Sequence, residues 1–139
     1  MVGQNLPVFE LRAEDLTLRL RASRPDHEGW HSVSVEVSAE PFWGTIAFEA
    51  LHSELERLLK TFQELDQAVG KVFEVKWKNY EDNVELVLSL NSRGHVIGNY
   101  RFSAGLGGEG PILSGRFSAD QSYLPGWIQQ LERVVRAPG

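Results

Sequence analysis

The chain has 139 residues, 42% hydrophobic and 24% charged, with a net charge of −5 and a pI near 5.4. A nucleic-acid partner is disfavoured, because phosphate binding needs a basic patch and no Lys/Arg cluster stands out. The absence of cysteine excludes disulfides, thiolate metal sites and a cysteine nucleophile. Length and composition fit one domain over residues 1–139, with 1–7 a loose N-terminal end. That end lacks the charged and apolar regions of a signal peptide, and no apolar run approaches the roughly 20 residues of a membrane span. The expectation is a cytoplasmic protein with no membrane partner.

Val8, Phe9 and Leu11 suggest a short first strand. From Asp15 to Arg21, Leu16, Leu18 and Leu20 alternate with Thr17, Arg19 and Arg21, the pattern of a half-buried strand. Residues 24–29, with Pro25 and Asp26, read as a loop. Val33, Val35 and Val37 alternate with serines and Glu36, and Glu40-Pro41 breaks the run. Phe42, Ile46 and Phe48 form the next inward set. Gly44 falls at an inward position, where a bulge or a close backbone approach is expected.

Ser53 to Val69 has the clearest helical period. Leu55, Leu58, Leu59, Phe62 and Leu65 recur at steps of three and four, which places them on one stripe. Ser53 with Glu56 reads as a capping box, and Gly70 as a left-handed stop. The period then returns to two. Phe73, Val75 and Trp77 are followed by a loop at 79–83, then by Val84, Leu86, Leu88 and Leu90. A turn at 91–94 leads to Val96, Tyr100 and Phe102, with Gly98 inside the run. A Gly-rich loop covers 103–111, and Leu113 and Phe117 mark a last strand. Leu124 to Val135 forms a second amphipathic helix, with Trp127, Ile128, Leu131, Val134 and Val135 on its apolar face.

Short turns imply antiparallel pairing, and alternation implies one buried and one wet face. The expected fold is a two-layer α+β domain: an antiparallel sheet of about seven or eight strands with two helices packed on one face. Each helix follows a strand with an inward glycine (Gly44, Gly115), which is compatible with a diverged duplication.

Two motifs match catalytic patterns in the wrong context. His27-Glu28-Gly29-Trp30-His31 fits H-E-x-x-H, but an extended strand entry would set the histidines about 13 Å apart, too far for one metal. Gly105 to Gly110 fits G-x-G-x-x-G, but a strand-like segment follows where a dinucleotide site needs a helix. Neither a serine elbow nor a catalytic pair is visible. The expectation is therefore no catalytic residue, no metal and no cofactor. The polar stretch Asp120, Gln121, Ser122 and Tyr123 reads first as a helix cap, and second as a polar cluster able to hold an anion or a partner group. On the wet face Trp43, Val87 and Ile97 are the apolar oddities. With Arg101 and Arg116 they are the candidate partner-binding residues, because Arg and Trp anchor contacts most often.

Phe42-Trp43-Gly44, then Ser53-Glu54-Leu55 opening a helix, then Phe117 followed by Asp120-Gln121-Ser122-Tyr123-Leu124, resemble the WapI-type immunity family of small bacterial proteins. The likeness lies in the order of elements and spans about residues 30–136. It implies an α+β protein that neutralises a toxin by contact, and it offers no catalytic residues to carry over. The resulting expectation is a non-enzymatic protein-binding domain, monomer or homodimer, whose acidic charge suits a basic toxin. The alternative is a small-molecule-binding protein or an unrecognised hydrolase using the sheet or the 103–111 loop.

Overall fold

Alternating β-branched and aromatic residues take up extended backbone wherever one face can be buried. The computed structural model describes residues 6–105, 107 and 109–136, so Met1 to Asn5 of the N-terminal end, and Leu106 and Gly108 of the Gly-rich loop, lie outside the described residues. The strands are β1 (Val8–Arg12), β2 (Thr17–Ala22), β3 (Trp30–Ala39) and β4 (Phe42–Leu51), then β5 (Phe73–Lys78), β6 (Val84–Leu90), β7 (His95–Ser103) and β8 (Ile112–Asp120). Helix α1 (His52–Gln67) separates the two sets. A 3-10 turn (Gln121–Tyr123) leads into α2 (Leu124–Val135). Asn79 and Asp26 lie in the connecting loops, where side-chain acceptors close the turns: the Asp26 carboxylate accepts the amides of Glu28 (2.8 Å) and Trp30 (3.0 Å).

The eight strands and two helices are those of an α+β fold, but the strands divide into two four-stranded sheets, β1-β2-β3-β4 and β5-β6-β7-β8, rather than one. Both are antiparallel meanders. The separation has a physical cause. After β4 the chain leaves the first sheet through α1, and β5 packs along α1 instead of returning to pair with β4. The inward faces of both sheets and the apolar faces of both helices nevertheless share one hydrophobic cluster.

Leu58 and Phe62 lie in that cluster, as the helical stripe requires. The Phe62 ring meets Phe9 of β1 edge-on at 5.6 Å and Trp127 of α2 at 6.3 Å, and Trp127 in turn meets Phe117 of β8 at 6.5 Å. One aromatic chain thus ties both sheets and both helices. The expected Ser53–Glu56 capping box is not what opens α1. The helix begins one residue after β4 ends, with Leu51 as its N-cap, and the Glu54 carboxylate reaches back to accept the Leu51 amide at 2.7 Å. At its other end Gly70 takes the left-handed conformation (φ +98).

Two glycines have aromatic rings where a side chain would stand. Gly98 of β7 is the cross-strand partner of Phe117, and a Cβ there would lie 2.0 Å from the Phe117 ring. Gly115 of β8 faces Tyr100, whose hydroxyl would be 2.3 Å from a Cβ. Gly44 has no such neighbour. It pairs with Val37 in an unbroken register, and nothing lies within 4 Å of its Cβ position, so the expected bulge or close approach is absent. Gly98→Ala should therefore destabilise by about 1–3 kcal/mol through overpacking, whereas Gly44→Ala should be nearly neutral. Urea titration of the two variants measures the contrast.

Candidate partner-binding surface

Register places the outward side chains of the first sheet in rows. Thr17, Ser38 and Trp43 lie side by side across β2, β3 and β4; Glu10, Arg19, Glu36 and Thr45 form the next row; Arg21, Ser34 and Ala47 the third. Arg19 Nε donates to Glu10 at 2.7 Å, and Arg21 donates to Glu36 at 3.0 Å. The Arg19 hydrogen bond, aided by Arg12, holds the Glu10 carboxyl below its ordinary range. Trp43 is 78% exposed and Phe42 63% exposed, adjacent residues at the head of β4. Beside Trp43 a groove of about 390 Å³ runs over Thr17, Arg19, Glu36 and Ser38.

The other four candidates share the outer face of the second sheet. Lys76, Val87, Asn99 and Arg116 form one row, and Glu74, Ser89, Ile97 and Ser118 the next, so Val87 and Ile97 are diagonal neighbours. Arg101 is committed internally. It donates to Asp82 at 3.1 Å and lies 3.6 Å from Glu85, which is also 2.9 Å from Lys76. Arg116 is exposed and has no acidic partner among the described residues. The structure therefore brings Val87, Ile97, Arg101 and Arg116 onto one face and leaves Trp43 on the other sheet.

The Lys76 ammonium, by its hydrogen bond, holds Glu85 below the usual carboxylate range. A depressed folded-state pKa adds stability above the unfolded value of about 4.3, and that stability is lost as pH falls through the depressed value. Stability should thus fall between about pH 5 and pH 3, and Glu85→Gln should flatten part of that slope by less than about 1 kcal/mol, since the pairs are partly exposed. Thermal melts across the range test it. A slope unchanged by Glu85→Gln would remove Glu85 from the account.

Asp120 to Tyr123 lies where β8 gives way to α2. The Asp120 carboxylate accepts the Ser122 amide at 2.8 Å, and that bond lowers its pKa. Gln121 donates its amide to the Gly94 carbonyl at 3.1 Å. Tyr123 is exposed and stacks on Trp127 at 6.0 Å. A cleft of about 690 Å³ opens here between the edges of β1 and β8, lined by Glu10, Arg12, His95, Asp120, Tyr123 and Trp127. Within it Arg12 lies 3.5 Å from Glu10.

The family model described as the Immunity protein WapI-like family matches residues 8–139. The chain belongs to that family. No curated protein matches it. Among solved structures this WapI-like chain is similar to that of the plant transcriptional regulator PBF-2, at 9% identity and a TM-score of 0.51, over 96% of this chain and 82% of that one. A likeness at that identity concerns the fold alone.

Sequence reading missed several polar groups of this WapI-like fold. His31 and His27 do not meet; His31 is buried on β3, and its Nε2 lies 3.0 Å from Nδ1 of His52, with its own Nδ1 donating to the Ser23 carbonyl at 2.7 Å. Among the described residues no three His, Asp or Glu side chains group as metal ligands. Asn79 and Asn83 are buried in the β5–β6 loop. Asn79 Oδ1 accepts the amides of Asn83 and Val84, and Asn83 Nδ2 donates to the carbonyls of Ser103 and Gly105. That network pins the start of the Gly-rich loop. The asparagine pair four residues apart was the available signal. No helix among the described residues is long and apolar enough to cross a membrane.

Proposed function

We propose that this chain is a non-enzymatic protein-binding domain that neutralises a basic toxin by contact, with the outer face of the first sheet around Trp43 as the anchor. The observation that carries the reading is Trp43 itself. It is 78% exposed on a regular strand, at the head of a groove, in a chain of the WapI-like immunity family. A large rigid side chain held on a strand loses little freedom on contact, which is what makes Trp an anchor. The net charge of −5 favours a cationic partner through long-range attraction.

The test is affinity purification from the native host followed by identification of what is retained. The expected result is one basic toxin domain retained by the wild-type chain. Trp43→Ala should weaken it by about 2 kcal/mol or more, roughly thirtyfold in Kd. Arg101→Ala should matter less, because its guanidinium is already held by Asp82 and Glu85. Undiminished retention by Trp43→Ala would move the site off the first sheet. A metabolite found bound in the β1–β8 cleft, with no protein retained, would favour the small-molecule reading.

A further inference from the structure

Each sheet ends in two edge strands, and an edge presents unpaired amides and carbonyls that template a further strand unless something blocks them. Three of the four edges are blocked. On β1 the Glu10 amide is taken by Gln130 Oε1 of α2 at 2.7 Å. Edge strand β5 carries Glu74, Lys76 and Lys78 and packs along α1. Edge strand β8 carries Arg116 and Asp120.

Edge strand β4 is the least protected: among the described residues, of its edge-facing amides only that of Leu51, at its far end, is taken, by the Glu54 carboxylate at 2.7 Å. It is ten residues long, pairs with β3 at every position without a bulge, and carries one charge, Glu49. The His52 amide donates to the Gly29 carbonyl at 2.9 Å in line with the β3–β4 register. That bond sets the phase of the ladder. Even-numbered β4 residues bond β3, so the amides and carbonyls of Trp43, Thr45, Ala47 and Glu49 face the open edge. All four of these residues are exposed.

Arg12 and Arg19 near the head of β4 are paired with Glu10, and the charge left unpaired around it among the described residues is acidic. Glu14, Asp15 and Glu40 are exposed, form no ion pair among the described residues, and line a hollow of about 300 Å³. That hollow shares Thr17 and Ser38 with the groove beside Trp43. We infer that β4 accepts an extended segment of a cationic partner protein as a fifth strand, its backbone bonded to Trp43, Thr45, Ala47 and Glu49, an apolar side chain against Trp43, and a Lys or Arg beside Glu14, Asp15 and Glu40. Main-chain bonds would supply affinity and the aromatic and acidic positions specificity. A second copy fits less well, because both copies would carry a net charge of −5. The inference rests on the protein-binding reading and adds the mode of contact.

The test uses the full chain and two blocked decapeptides, one alternating Val and Lys, the other Val and Glu, with amide hydrogen exchange followed by NMR. The Val–Lys peptide should slow exchange at Trp43, Thr45, Ala47 and Glu49 by about tenfold or more, and the Val–Glu peptide should not. Methylating alternate peptide nitrogens should abolish the effect. Thr45→Pro removes an edge-facing N–H and leaves the β3 ladder whole, so it should keep the fold and lose the peptide. Ala47→Lys should do the same by charge and carries the test if the proline variant does not fold. Protection elsewhere, no protection at all, or a free chain that dimerises through β4 would overturn the proposal. If Thr45→Pro and Ala47→Lys retain the toxin as the wild type does while Trp43→Ala loses it, the added strand falls and contact neutralisation stands. If the wild-type chain retains no toxin but the Val–Lys peptide protects β4, the neutralisation reading falls and the edge site stands.

Discussion

Replacing Phe62 with alanine should cost about 3–5 kcal/mol of folding stability. The residue is fully buried in α1, and its ring is the point where β1 and α2 meet, against Phe9 and Trp127. Its removal loses the transfer free energy of a whole aromatic side chain. It also leaves a void bordered by two further rings, which cannot close without moving a sheet against a helix. Marginal stability for a chain of this size is about 5–15 kcal/mol, so the variant should stand near the edge of folding. Guanidinium titration reads the change directly. A loss below about 1 kcal/mol would mean that the site collapses and that the aromatic chain does not hold the halves together.

Glu54→Ala should come close in size, for a different reason. The carboxylate is 4% exposed, and its two oxygens accept the amides of Leu51 at 2.7 Å and Tyr80 at 2.6 Å. One bond closes the first turn of α1; the other fastens the β5–β6 loop to it. Bonds to a charged group are worth about 1.5–3 kcal/mol each, and both donors would be left without an acceptor. The expected loss is about 3–5 kcal/mol, with Glu54→Gln losing roughly half as much because one oxygen remains. Equal losses for the two variants would show that charge at the helix N-terminus, rather than the pair of hydrogen bonds, is what matters.

The alternation of Leu16, Leu18 and Leu20, and of Val33, Val35 and Val37, made the strands of the first sheet legible, because a period of two has only one cheap backbone solution when one face is buried. The stripe from Leu55 to Leu65 showed the buried face of α1 on the same grounds. The division into two sheets was not legible, since alternation tells which face a residue takes and not which strand lies beside it. Glu54 was overlooked for a related reason: its second partner, Tyr80, is 26 positions away. Among the candidate site residues, Trp43, Val87, Ile97, Arg101 and Arg116 could each be placed on a wet face one by one. Their partition between two faces depends on the sheet order, which no single strand encodes. His31 and His52, 21 positions apart, meet only because β3 and β4 are neighbours.

Among the described residues every ladder joins strands that are consecutive along the chain. Closing such ladders costs little loop entropy, since the penalty rises only with the logarithm of the intervening length. The contact order of each sheet is therefore low, and each meander can complete its hydrogen bonding without waiting for the other. The expensive closures are those that bring α2 back to the start of the chain, such as the Gln130 to Glu10 bond across 120 positions. The edge of β1 is thus covered only where α2 docks on it, so the first strand of the chain depends on the last helix for its protection.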